Sequence, residues 1–164
     1  INPHLNSSVQ AHSIGLSNCE EWKQLSIPSA KQHDRYNDQS DIRLYSVLGL
    51  GRQKFDARFI TLDQWVNDFK IRSLDFIKID VEGYEYSVLQ GAMDTLRSFR
   101  PILMFELNQL TLSLSNRTAD EYLRLAKDLD YNVFGLEYGF KSTLLKIDSI
   151  NQVDLVSDLI LFPS

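Results

Sequence analysis

The chain has 164 residues, 43% hydrophobic and 24% charged, which suits one domain with a real core and excludes wholesale disorder. Its net charge of −5 argues against a nucleic-acid-binding surface as the main business, because phosphate contacts need clustered Lys and Arg. Cys19 is the only cysteine, so neither an internal disulfide nor a cysteine-rich zinc site can form, and a reducing, cytoplasmic setting is expected.

No apolar run approaches the roughly 20 residues that cross a bilayer as a helix. From the start of the chain, residues 8–16 carry Val9, Ala11, Ile14 and Leu16 and read as a weak strand. Residues 20–53 are polar and poorly periodic, which predicts a long loop with a short strand over 43–47. Residues 57–60 read as a strand leading into Thr61, a helix cap with Gln64 as its reciprocal partner. Leu62, Trp65, Val66 and Phe69 follow at helical spacing on one face.

Residues 76–80 form a short apolar run, the pattern of a strand covered on both sides. Val88, Leu89, Ala92, Met93, Leu96 and Phe99 then make a helical stripe that Arg100-Pro101 stops. Residues 102–106 are a second buried-strand run. Thr118 and Glu121 form a capping box for a helix through Asp130, with Tyr122, Leu125, Ala126 and Leu129 inward. Residues 132–138 and 157–162 read as the last two strands, an antiparallel hairpin at one edge. Alternating strands and helices predict an α/β fold, a parallel sheet with helices on both faces, as a single domain over 1–164.

Ligands in open α/β sheets bind beyond the carboxyl ends of the strands, and two predicted strands end in acids, Asp80 and Glu106. Asp80 and Glu82 are two apart, so continued strand geometry would point both to one side, and Gly83 permits a tight exit. Such acids also serve as caps of the next helix, and the pattern alone leaves both roles open. His4, His12 and His33 have no metal-ligand spacing, and no metal site is expected. Gly49-Leu50-Gly51 lacks a third glycine and reads as a loop, while Trp65, Phe69 and Phe99 read as core.

Six blocks resemble the FkbM family of methyltransferases: Ile14-Gly15-Leu16-Ser17-Asn18, Thr61-Leu62-Asp63, Ile79-Asp80-Val81-Glu82-Gly83-Tyr84-Glu85, Val88-Leu89-Gln90-Gly91-Ala92, Pro101-Ile102-Leu103-Met104-Phe105-Glu106 and Asp158-Leu159-Ile160-Leu161-Phe162-Pro163. The resemblance spans nearly the whole chain. It implies a class I Rossmann-like methyltransferase fold and transfer of a methyl group from S-adenosylmethionine to a hydroxyl of a sugar, glycan or natural product. By the same resemblance Asp80 lies nearest the reacting methyl, Asp80 or Glu82 acts as general base, Ser17 and Asn18 approach the adenine, and Glu106 and Asn108 line the acceptor side. The glycine-rich cofactor loop and the ribose-binding acid of the family do not occur in this sequence. The expectation is therefore a fold truncated at the N-terminus, with the first two strands absent and a natural protein that is longer there. The chain as written is expected to bind S-adenosylmethionine weakly or not at all. Two other readings stay open: a glycosyltransferase using Asp80-Val81-Glu82 to hold a divalent metal, and a non-catalytic remnant of the methyltransferase fold.

Overall fold

The computed structural model describes residues 9–27, 53–81, 83–107, 112–113, 115–137, 142–149, 152 and 158–164. The predicted strand at 43–47, the Gly49-Leu50-Gly51 loop, Glu82 and Asn108 lie outside the described residues. So do His4 and His33.

The described residues form two sheets. The first has three strands in the order β1-β3-β2. Strand β1 is only Gly15–Leu16, shorter than the predicted strand over 8–16. Strand β2, Glu21–Ile27, lies where the polar composition predicts a loop. Its register explains why a strand forms there. Pairing antiparallel with β3, Gln53–Ile60, puts Trp22, Gln24, Arg58 and Asp56 on one exposed face, where polar side chains are at home. The opposite face carries Glu21, Lys23, Ala57 and Phe59. Strand β1 joins parallel to the far end of β3, Leu16 opposite Ile60, and the Ser17 amide donates to the Ile60 carbonyl at 2.9 Å.

Helix α1, Leu62–Asp68, begins at Thr61, whose hydroxyl accepts the Gln64 amide at 2.9 Å. The Gln64 side chain donates to Glu20 instead of closing the predicted box. Leu62 and Val66 are buried and Trp65 packs at the margin. Phe69 is 45% exposed and stacks with Trp65 and His12, so its expected place in the core is corrected. It is the C-cap residue, just past the last helical position.

The second sheet has the order β4-β5-β8-β6-β7, built from Phe76–Ile79, Ile102–Glu106, Asp158–Pro163, Tyr131–Glu137 and Thr143–Lys146. β4 and β5 are parallel, joined through α2, Glu85–Gln90, and α3, Met93–Phe99, as a parallel pair requires a crossover. The predicted single helix is thus two, broken at Gly91-Ala92. β8 runs antiparallel between β5 and β6, so the last two predicted strands do pair, but β8 is internal and β6 turns to β7 at the edge. β4 is an edge among the described strands: Phe76 is 51% exposed and Lys78 is exposed, which corrects the expected cover on both sides.

Register builds the core in rows. Ile77, Leu103, Leu161 and Val133 lie side by side, and Ile79, Phe105 and Leu159 form the next row. All but the partly covered Ile77 are buried, and the helices over 62–68, 85–90, 93–99 and 119–128 contribute to the same cluster. Helix cover is therefore seen on the face that carries these rows. α4, Ala119–Asp128, has the predicted capping box and buries Tyr122, Leu125 and Ala126. Arg100, left-handed at φ 53°, ends α3 and donates to the carbonyls of Leu129 and Asp130 just past α4, tying two helix ends together. Among the described residues no helix is long and apolar enough to cross a membrane.

Candidate active site

The row after Ile79 and Phe105 is acidic. Glu106 ends β5 opposite Asp158 of β8, and Asp80 follows Ile79 directly, so three carboxylates line one end of the sheet. Asp80 is exposed and accepts from Lys78 Nζ at 2.7 Å. That bond, with weaker fields from Asp158 and Glu106, holds the Lys78 ammonium above its ordinary pKa. β4 stops at Ile79, so Asp80 lies just beyond the strand.

The turn after Asp80 is held by a residue that composition and spacing did not mark. Glu85 is 3% exposed, and its carboxylate accepts the Gly83 amide at 3.2 and 3.0 Å and the Val81 amide at 3.2 Å. Gly83 has φ 99°, a conformation that L side chains rarely adopt. Burial pushes the Glu85 carboxyl above the usual range; the amide bonds oppose this, and Glu106 adds to it. Glu85 therefore latches the loop that presents Asp80.

Ser17, at the end of β1, is completely buried, while Asn18 beside it is exposed. The Ser17 hydroxyl donates to Glu21 Oε1 at 2.7 Å and lies 3.0 Å from the Tyr84 hydroxyl. Lys23 Nζ donates to the Tyr84 hydroxyl and lies 3.1 Å from Glu21 Oε1, above the Tyr84 ring at 4.2 Å. Ser17 holds Glu21 below the usual carboxylate range. Lys23 is held above its own ordinary value: partial burial alone would lower it, and the bonds to Tyr84 and Glu21 outweigh that. Glu21, Lys23 and Tyr84 are the residues sequence reasoning missed here. The signal was the alternation of Glu21 and Lys23, hidden by the polar composition of β2.

The structure thus brings Asp80 and Glu106 to one sheet end and sets Ser17, though not the exposed Asn18 beside it, in hydrogen-bond contact with Tyr84 of the same loop. Asp63 also acts across elements: its carboxylate accepts the amides of Asp94 at 3.1 Å and Thr95 at 2.7 Å, capping α3, whose own cap residue Ala92 has no side chain to do so. Among the described residues no three His, Cys, Asp or Glu side chains are grouped to hold a metal.

Comparison with known proteins gives one result. The model of the methyltransferase FkbM domain matches residues 2–133, most of the chain. Neither curated proteins nor solved structures give a match.

Proposed function

The chain belongs to the FkbM methyltransferase family, and from that premise we propose that it methylates a hydroxyl of a sugar, glycan or natural product at the carboxyl end of β4, with S-adenosylmethionine as donor. The observation that carries this reading is Asp80: an exposed carboxylate on the last residue before a turn latched from behind by Glu85. The family match favours this over the glycosyltransferase reading.

When bound, S-adenosylmethionine supplies an electrophilic methyl on a positively charged sulfur. The acids that meet at this sheet end, Asp80, Glu106 and Asp158, suit a cationic donor. Asn18 offers an exposed amide on the cofactor side, next to the buried Ser17. Asp80 orients the acceptor hydroxyl and takes its proton as oxygen attacks, so no nucleophilic side chain is needed. Glu106 and Asn108 are assigned to the acceptor side, and Glu82 is the second candidate base.

The test is methyl transfer from labelled S-adenosylmethionine to a panel of sugars, glycans and polyketide alcohols by the full-length protein. Label in an O-methyl product supports the proposal. Donor binding without transfer to any acceptor class points to the remnant reading, and no donor binding at all removes the cofactor assignment.

A further inference from the structure

The hydrogen bonds around Ser17 close into a ring whose protons can all be placed. Ser17 has one hydroxyl proton, and at 2.7 Å the Glu21 carboxylate, a pure acceptor, takes it; the Asn18 side-chain oxygen at 3.3 Å is the weaker alternative. The Tyr84 hydroxyl at 3.0 Å must then donate to Ser17 Oγ. Its own oxygen receives Lys23 Nζ, a pure donor, and Lys23 returns to Glu21 at 3.1 Å. Lys23, Tyr84, Ser17 and Glu21 form a closed ring in which the Lys23 ammonium donates along both arms and the Glu21 carboxylate accepts at the end of each.

We infer that Tyr84 is a positioning residue for methyl transfer, tying the Ser17-Asn18 end of β1 to the loop that carries Asp80. Three elements converge on Ser17: β3 through the Ile60 carbonyl, the end of α2 through the close approach of Gly91, and the Asp80 loop through Tyr84. Among the described residues, the Tyr84 hydroxyl is the hydrogen-bond link between this strand end and the Asp80 loop. The Tyr84 ring is itself fixed, edge-on to Phe59 at 6.3 Å and under Lys23. The role in catalysis rests on the proposed function; the tie itself does not.

The full-length protein with Tyr84→Phe keeps the ring and loses the hydroxyl. Amide hydrogen exchange at Ser17 and Asn18 is expected to quicken about 2- to 10-fold, the range one net hydrogen bond spans. The Michaelis constant for S-adenosylmethionine is expected to rise by a similar factor and by more than kcat falls. In a Ser17→Ala background the same change should add little, because the hydrogen-bonded ring is already open. Lys23→Met, which leaves the Tyr84–Ser17 bond, should move both readouts the same way by less, and it serves if Tyr84→Phe does not fold. Unchanged exchange at Ser17 and Asn18, or full additivity with Ser17→Ala, overturns the inference. Faster exchange in a protein that does not bind S-adenosylmethionine removes the proposed function and the catalytic role while retaining the tie.

Discussion

Gly91 rests so closely on Ser17 that a Cβ at position 91 would overlap the Ser17 carbonyl oxygen. The obstacle is backbone on both sides, and the Gly91 carbonyl is also engaged, accepting the Asp63 amide at 3.0 Å at the start of α1. Gly91→Ala is therefore expected to destabilise the protein by about 1–3 kcal/mol, the usual cost of overpacking a site that cannot yield. Urea unfolding measures this, and a midpoint unchanged from wild type would mean that the two backbones separate freely.

Glu85 gives a prediction with a pH sign. Its folded pKa is raised above the ordinary 4.5, so the folded protein binds more protons than the unfolded chain above that value. The stability it contributes is fully present below pH 4.5 and is lost as pH rises through the raised folded value. Glu85→Gln should remove this component, leaving stability that falls less between pH 4.5 and neutrality than in wild type. Glu85→Ala should cost about 2 kcal/mol below pH 4.5, because the Val81 and Gly83 amides lose their acceptor, and progressively less as pH rises, because it too removes the titrating group. Denaturant titrations across that range separate the two effects.

Asp80→Asn should leave the fold intact, since its pair with Lys78 is exposed and such pairs contribute less than about 1 kcal/mol. Turnover should fall roughly 100-fold or more if the carboxylate takes the acceptor proton. Steady-state rates at saturating donor decide it, and an undiminished rate transfers the role to Glu82 or another group.

Asp63 caps α3 from α1, so Asp63→Ala should cost about 1–2 kcal/mol, within the range of lost helix caps. Asp63→Asn keeps one acceptor oxygen and should lose about half as much. The check is the shift in urea midpoint at constant slope.

Local signals were legible where a few neighbouring residues decide the outcome. The box at Thr118 and Glu121 and the inward face of α4 are as the sequence predicts, because both depend on contacts three or four residues apart. Gly91 ends a helix where its stripe alone predicts continuation. The reason lies 74 positions back along the chain, at the Ser17 backbone that only a glycine admits so close.

By itself the sequence determined the α/β character, the family signature and the placement of Asp80 and Glu106 at strand ends, since apolar period and strand-end acids are local properties. Tertiary structure alone decided that polar residues 21–27 form a strand, that β8 inserts between β5 and β6, and that Glu85 serves as the latch while Asp80 faces solvent. It also decided which side chains meet at Ser17. Pairing partners and burial depend on residues far apart in the chain, and no local pattern encodes which distant group will fill a side chain's remaining hydrogen bond.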